Sequence, residues 1–282
     1  MYQLSRPHPA LAPHIESYWF VVADGGRPVE VTVDVFVDLR ADLVFNFRAP
    51  YTRAMIGKRP RRIAHSNLDA QRIYPIRIEQ RGDVGICGVR FHVAGLAPFV
   101  SVPVDRWSDR VVSIQAAFGK DVVALERALR AASSDPPAQT ALLDAFFLRR
   151  LALGKAHELV QQLRAEIEAE GGVERVAELC ARNAISQRQL DRLFRSQLGF
   201  NPKPFARVVR FQRALGRLRG EPGCTLGELA AECGYYDQPH FVREFKAFAG
   251  TAPRARIGYF PSEAPTDFSP NLVQFVQDTR PR

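Results

Sequence analysis

The chain has 282 residues, 46% of them hydrophobic and 24% charged, with a formal net charge of +9. These values are typical of a soluble globular protein and allow two domains, each with its own core. No run of about 18 apolar residues occurs, and the first residues lack the apolar segment of a signal peptide, so we expect a cytoplasmic protein with no membrane partner.

The four cysteines predict neither a disulfide framework nor a metal site. Cys87, Cys180, Cys224 and Cys233 show no CxxC spacing and have no histidine at finger-like distance. Each lies in an apolar or mixed segment, where a free cysteine behaves as a small hydrophobic residue. The six histidines are scattered and form no HxH pair. We therefore expect no metal and no cofactor.

Residues 1–118 show the pattern of short β-strands. Val31–Val37 alternates with a period of two, which puts four valines on one face. Leu43–Phe47 and Val84–Phe91 continue this pattern, and Gly, Pro and Asp residues separate the runs. We predict a β-sandwich or a small barrel here, with the basic stretch Lys58–Arg62 as solvated surface.

Residues 119–170 change to helical spacing. Apolar residues recur three and four positions apart over Asp121–Ala132 and Gln139–Glu170, and Pro136-Pro137 separates the two helices. The apolar face is lost before the paired glycines at 171–172, where we place a domain boundary. These helices either cover the sheet of the first domain or bind a second copy of the chain, and the sequence favours neither.

Most of the positive charge lies in the segment that follows, residues 171–260. This segment holds 15 Lys and Arg residues against 8 Asp and Glu, an excess of 7 out of the net +9. An excess of Lys and Arg over Asp and Glu within one segment is expected of a domain that binds phosphate groups, although membranes and acidic partners also attract basic surfaces.

Within this segment the sequence repeats at an offset of 51 residues. The two copies align capping, apolar, basic and terminating positions together, which chance rarely does. The matched pairs are Ser186 with Asp237, Gln187 with Gln238, Leu190 with Phe241, Arg192 with Arg243, Phe194 with Phe245, Arg195 with Lys246, Gly199 with Gly250, and Pro202 with Pro253.

Each copy predicts an amphipathic helix of about 12 residues with recognisable ends. Ser186 and Asp237 are suited to the N-cap, where a side-chain oxygen accepts from the first turn. Gly199 and Gly250 fit the left-handed position that ends a helix. A shorter amphipathic helix and a tight turn precede each; these shorter helices are predicted at Val173–Arg182 and Thr225–Glu232.

A further helix, predicted over Lys203–Leu218, joins the two copies. It would span roughly 24 Å, compatible with the ~34 Å between successive major grooves on one DNA face. A helix, a tight turn and a capped second helix form the helix-turn-helix pattern. The sequence therefore predicts an α+β protein with a β-rich first domain, a helical connector and an all-α domain of two helix-turn-helix units that binds double-stranded DNA.

Over about Val173–Ile257 the chain closely resembles the DNA-binding domain of the AraC/XylS family of bacterial transcription regulators. The most specific stretch is Gly234–Lys246, GYYDQPHFVREFK, followed by Gly250–Pro253. Ser186–Phe194, SQRQLDRLF, matches the first half of the domain.

The resemblance implies that exposed early positions of both second helices contact base edges. Gln and Arg side chains match adenine and guanine edges. Asp191 departs from this chemistry, since a carboxylate repels phosphate, and we expect it to accept from cytosine or to pair with Arg188 or Arg195. The candidate DNA-binding residues are Gln187, Arg188, Asp191, Arg192 and Arg195; Gln238, Pro239, His240, Val242, Arg243 and Lys246; and, as phosphate contacts or as solvated or Glu-paired surface, Arg207 and Arg210.

The first domain is more distantly similar to the β-rich companion domains of this family, where effectors often bind. Aromatic side chains in this region are candidates for a small-molecule cavity, and ordinary core packing is the alternative reading. The candidate effector-binding residues are Trp19, Phe36, Phe45, Phe47, Arg90 and Phe91.

We therefore expect an effector-controlled transcription regulator and not an enzyme, because no nucleophile–base pair, phosphate loop or metal constellation is evident. The expected partners are double-stranded DNA, an unidentified small-molecule effector, a second copy of the chain and, for an activator, RNA polymerase. One alternative is a DNA-binding sensor that uses Cys87 chemistry, and another is an effector-independent architectural DNA-binding protein. The tail at 261–282 contains one apolar run, Asn271–Gln277, suited to a strand.

Overall fold

The computed structural model describes residues 2–22, 29–152, 155–220 and 224–253. These residues form a β-rich N-terminal unit and a helical C-terminal unit, which confirms the α+β prediction. The tail at 261–282, with its predicted strand Asn271–Gln277, lies outside the described residues.

The strands are β1 (Tyr2–Ser5), β2 (Ile15–Val22), β3 (Val29–Val35), β4 (Asp42–Asn46), β5 (Tyr51–Met55), β6 (Arg61–Ile63), β7 (Asn67–Asp69), β8 (Ile76–Gly82), β9 (Gly85–Phe91) and β10 (Val111–Ser113). The helices are α1 (Ile114–Phe118), α2 (Val122–Ala131), α3 (Pro136–Arg150), α4 (Lys155–Ala169), α5 (Val176–Arg182), α6 (Gln187–Leu198), α7 (Pro202–Gly220), α8 (Leu226–Glu232) and α9 (Gln238–Ala249), with 3-10 turns at Ala97–Phe99 and Val104–Arg106.

The strands form two antiparallel sheets that face each other. One has the order β1-β2-β9-β4-β7-β10 and the other the order β3-β8-β5-β6. Of the two predicted architectures, the described strands form the open, two-sheet one and do not close into a barrel.

The six-stranded sheet is buried on both faces, and alternate residues of each strand point to opposite sides. On β4, Leu43 and Phe45 pack with the core beneath α1, α2 and α3. Asp42 and Val44, which alternate with them along the strand, face the four-stranded sheet across a cavity. The sheet therefore has a helix-covered face and a cavity face.

The helices after the sheet divide between the two units. Asp135 caps α3 by accepting from the backbone N–H of Ala138 at 3.0 Å, so the paired prolines begin this helix rather than precede it. The single helix predicted over Gln139–Glu170 is wrong, because α3 ends at Arg150 and α4 begins at Lys155. Within that break, the backbone of Leu151 is extended, and the Ala152 N–H donates to the Pro98 carbonyl at 3.1 Å.

The cores of the two units are continuous around Phe36 and Val37. β3 ends two residues before its predicted end, because these residues leave the sheet and pack against the C-terminal helices. The Phe36 ring lies 6.3 Å from the Phe211 ring of α7, and the Val37 N–H donates to the Phe248 carbonyl of α9 at 3.2 Å. Among the helices described, none is long and apolar enough to cross a bilayer.

Candidate DNA interface and inter-sheet cavity

The first helix-turn-helix unit consists of α5, a short turn and α6. The Ser186 hydroxyl accepts from the backbone N–H of Gln189 at 3.2 Å, and the Gln189 side chain accepts from the Ser186 N–H at 2.9 Å. This reciprocal capping box fixes the start of the helix. Gly199 ends α6 at a φ of +87°, a left-handed conformation that carries no Cβ penalty in glycine.

The second unit, α8 and α9, has the same construction. Thr225 and Glu228 form a capping box at the start of α8. At the start of α9, Asp237 Oδ1 accepts from the His240 N–H at 2.6 Å, and Gly250 ends the helix at a φ of +75°. Both second helices therefore begin and end at the residues that the repeat predicts.

Both second helices anchor one side in the core and expose the other. Leu190 and Phe194 of α6, like Phe241 and Phe245 of α9, are fully buried. The opposite side is polar and basic. Exposed side chains are Gln187, Arg188, Arg192 and Arg195 on α6 and Gln238, Pro239, Arg243 and Lys246 on α9, while Asp191, His240 and Val242 are half-buried.

Arg207 and Arg210 of the central helix α7 are directed towards Glu244 of α9. Glu244 is only 3% exposed. The Arg207 Nε lies 2.9 Å from its Oε1, and an Nη of Arg210 lies 3.6 Å from its Oε2. His240 Nε2 is 3.6 Å from the same Oε2. Both arginines are therefore paired with Glu244, and their contact with DNA phosphates stays a prediction.

The C-terminal end of α6 is attached to the N-terminal unit. Arg195 Nε lies 3.4 Å from Asp105, which belongs to a 3-10 turn of that unit. The Ser108 hydroxyl donates to the Gly199 carbonyl at 2.9 Å. Within the described ranges, Asp191 forms no ion pair with either arginine that was expected to neutralise it.

A cavity of about 110 Å³ lies between the two sheets of the N-terminal unit. Valines and isoleucines from both sheets form most of its walls. The Trp19 indole lies over Gly88, where an added Cβ would come within 1.9 Å of the ring. Glycine at this position therefore lets the indole lie flat on the strand.

A row of charged residues crosses the sheet at the cavity. Arg90 of β9, Asp42 of β4 and Asp69 of β7 are direct neighbours in the strand register. Arg53, from the facing sheet, donates to both oxygens of Asp69 at 2.7 and 2.8 Å. Burial raises the pKa of Asp42 to about 6, against the opposing effect of Arg90.

Two further buried charges lie beside this row. Arg72, between β7 and β8, lines the cavity and is 1% exposed, and its Nη2 donates to the Phe36 carbonyl at 3.4 Å. Asp38 forms an ion pair with Arg90. Burial favours the neutral form of Asp38, but the positive charges of Arg90 and Arg40 outweigh it and hold the pKa of this carboxyl below its usual range.

The C-terminal unit is similar in sequence to known helix-turn-helix proteins. A helix-turn-helix domain model matches residues 179–256. The HTH-type transcriptional activator RhaR of Yersinia pseudotuberculosis is 34% identical over 79 residues, which are 28% of this chain and 27% of that protein. The HTH-type transcriptional regulator GbdR of Pseudomonas aeruginosa is 30% identical over 100 residues, 36% of this chain and 26% of that protein. The C-terminal unit is an AraC-type helix-turn-helix domain. Its match spans about a quarter of the length of these relatives.

The N-terminal unit matches a different model. Residues 3–113 match a domain of unknown function (DUF6597). A solved structure of ToxT from Vibrio cholerae is similar over 82% of this chain and 97% of that chain, with 11% sequence identity and a TM-score of 0.45.

The candidate effector-binding residues fall on different surfaces of the chain. Trp19 and Arg90 line the cavity. Phe45 and Phe91 point to the helix-covered face of the same sheet, and Phe47 packs at the edge of that core. Phe36 lies in the core shared with the C-terminal unit. Effector binding by these six residues stays a prediction.

Sequence reasoning missed Arg72, Asp42 and Asp69 at the cavity. The sequence did contain a signal for Asp42. This charged residue begins β4 and lies on the side of the strand opposite the apolar Leu43 and Phe45. Arg72 lies in a short irregular segment without periodicity, so no pattern indicates which way its side chain points. Tyr236, 92% exposed beside the start of α9, also received no role from the sequence.

Cys87 is fully buried on the helix-covered face of β9. Burial raises the pKa of its thiol well above the usual range. The reactive thiolate is therefore scarce at neutral pH, and the geometry offers nothing in favour of the Cys87 sensor alternative. Among the residues the structure describes, no three His, Cys, Asp or Glu side chains are grouped as a metal site.

Proposed function

We propose that this chain is a sequence-specific double-stranded DNA-binding transcription regulator of the AraC family, acting in the cytoplasm. The observation that carries the proposal is the pair of capped second helices, which expose equivalent Gln and Arg positions on one connected scaffold. α7 has 19 residues and spans about 28 Å, comparable with the ~34 Å separation of successive major grooves. The similarity to proteins named as a transcriptional activator and a transcriptional regulator supports the same reading.

Residues 171–260 form the proposed DNA-binding domain, and its contacts divide into two classes. Base edges are read from the exposed first halves of α6 and α9, by Gln187, Arg188, Arg192, Gln238 and Arg243. Phosphates are neutralised by Arg195 and Lys246, and these contacts give affinity and salt dependence. Asp191, Pro239, His240 and Val242 shape the same surface.

We propose further that residues 1–118 form a sensor domain whose inter-sheet cavity binds a small-molecule effector, with residues 119–170 as a connector. The cavity has apolar walls and a few convergent polar groups, the usual composition of a ligand site. Effector binding then alters how the helical unit meets DNA or a second copy of the chain. RNA polymerase is the further partner if the effect is activation.

The test is a footprint of the purified full chain on DNA from upstream of its own coding region, at several salt concentrations with random DNA as competitor. Protection of two successive major grooves on one face, retained with competitor, is the expected result. Protection that disappears completely with random competitor, on this and on a library of genomic fragments, identifies an architectural DNA-binding protein instead.

A further inference from the structure

The charged end of the inter-sheet cavity has more hydrogen-bond donors than acceptors. Arg72 Nε, Arg90 Nε and Trp19 Nε1 are buried and find no hydrogen-bond partner among the described residues. The same holds for two acceptors, Asp42 Oδ1, which lies 3.5 Å from Arg90 Nη1, and Glu16 Oε2, which lies 3.9 Å from Arg90 Nε. Buried donors are normally satisfied, so the cavity is short of an acceptor group.

Among the arginines at this end, Arg72 has no carboxylate within 4 Å in the described part of the chain, and Asp38 and Asp42 act on it only at longer range. Arg53 is bound through both oxygens of Asp69, and Arg90 pairs with Asp38. Arg72 forms no ion pair in the described part of the chain, and its only hydrogen bond is the 3.4 Å one to the Phe36 carbonyl. A buried charge is costly unless it is paired. An anion from outside the chain would supply the missing partner.

We propose that this cavity binds a small organic anion, with a carboxylate head group on Arg72 and an apolar body between the two sheets. The inference rests on the proposed effector role of the cavity and specifies the chemistry of the ligand. A cavity of about 110 Å³ is somewhat smaller than the ~150 Å³ cavity that holds benzene in another protein. The ligand is therefore close to benzoate in size.

Asp42 makes the binding depend on pH. The charged groups facing it are Arg90, Asp38, Arg72 and Asp69. A carboxylate bound on Arg72 brings another negative charge to this cluster, so the ligand binds best when Asp42 is protonated. Since Asp42 has a pKa of about 6 and a free carboxylic acid stays ionised there, affinity for the anion rises as the pH falls from 8 to 6.

The probes are benzoate and its neutral counterpart benzamide, titrated against the full chain without DNA. Trp19 lines the cavity, so its fluorescence reports occupancy, and Trp19→Phe identifies the signal. We expect benzoate to bind at least tenfold more tightly than benzamide, with the preference increasing towards pH 6. Equal affinities for benzoate and benzamide, or no binding of benzoate at millimolar concentration, would overturn the proposal. This comparison needs only the wild-type chain.

Arg72→Gln should reduce benzoate affinity at least tenfold and leave benzamide affinity unchanged, while Arg59→Gln, at an exposed position between β5 and β6, changes neither. If Arg72→Gln does not fold, Arg72→Lys keeps the charge and should retain the preference for benzoate. Unchanged benzoate binding in Arg72→Gln contradicts the assignment. A chain that protects DNA but ignores benzoate overturns only the ligand proposal, whereas benzoate binding without DNA protection overturns only the DNA-binding one.

Discussion

Arg188 lies at the start of α6 and Arg243 in the middle of α9, and both side chains are exposed. Replacing either with Ala should reduce discrimination between specific and random DNA by about 1–3 kcal/mol, because a guanidinium that reads guanine is lost. Competition binding at fixed salt measures this ratio. Arg127→Ala, at an exposed position of α2, is the control and should leave the ratio unchanged. Equal losses on specific and random DNA would show that the two arginines contact only phosphate.

Asp42 should make the N-terminal unit less stable as the pH rises. Its folded-state pKa of about 6 lies above the usual value near 4, so the folded state holds the proton more tightly. The free energy of unfolding therefore falls as the pH rises from about 4 through 6. Asp42→Asn removes that dependence and should be more stable than wild type at pH 7 by roughly 1–3 kcal/mol.

Urea unfolding at pH 4 and pH 7 measures the effect of Asp42→Asn. The matched control is Asp83→Asn, since Asp83 is 64% exposed in its pair with Arg48, and this change should leave the pH dependence as it is. Parallel pH curves for wild type and Asp42→Asn would contradict the assignment of the raised pKa.

Side-chain direction shows how far single residues could be predicted. A period of two indicates that Phe45 and Phe47 share a side of their strand, but it does not say whether helices or a second sheet will cover that side. Here the helices cover it, so these aromatic residues lie in or beside the core, and the cavity receives Asp42 and Val44. The sheet partners, which decide this, come from distant parts of the chain.

At the level of helices, Glu244 connects α9 to α7 through Arg207 and Arg210. Glu244→Gln keeps the volume but removes the charge from a side chain that is 3% exposed. Breaking a buried ion pair typically costs about 3–5 kcal/mol, but the Arg207 side chain is 44% exposed. We therefore expect a loss of about 1–2 kcal/mol in the free energy of unfolding, once solvent screening is allowed for.

The control for this change is Glu232→Gln, which removes the same charge from a surface pair with Arg217 at 2.7 Å. Exposed pairs contribute about 0–1 kcal/mol, so this variant should be close to wild type. Denaturant unfolding compares the two. Similar small losses in both variants would show that Glu244 is as dispensable as a surface residue.

The helices of the C-terminal unit could be predicted because their ends are set locally. Ser186 and Gly199 each act on the adjacent turn, and the repeat doubled that signal. The break between α3 and α4 could not be predicted in the same way, because Ala152 bonds to Pro98, over 50 residues away. Strands such as β5 and β8 depend likewise on partners that the local sequence does not identify.

At the scale of the molecule, the segment after β3 connects the cavity to the DNA-binding unit. Arg72 donates to the Phe36 carbonyl, and the next residue, Val37, bonds to Phe248 of α9 and accepts from Gln212 of α7. A ligand that draws Arg72 away from this carbonyl therefore acts on the residues that hold α7 and α9. Coupling of this kind is reciprocal. If the ligand changes the affinity for DNA by some factor, DNA should change the affinity for the ligand by the same factor.

Because the core is continuous through Phe36, the two units should unfold together. Phe36 is fully buried between them, whereas Phe45 is equally buried within the N-terminal unit alone. Replacing either with Ala should cost about 3–5 kcal/mol. Calorimetry should give one unfolding transition for the wild type and one, at lower temperature, for Phe45→Ala. Phe36→Ala should give two transitions, because only this change removes contacts between the units. A single transition in Phe36→Ala would mean that contacts such as Ser108 to Gly199 suffice to join the units without it.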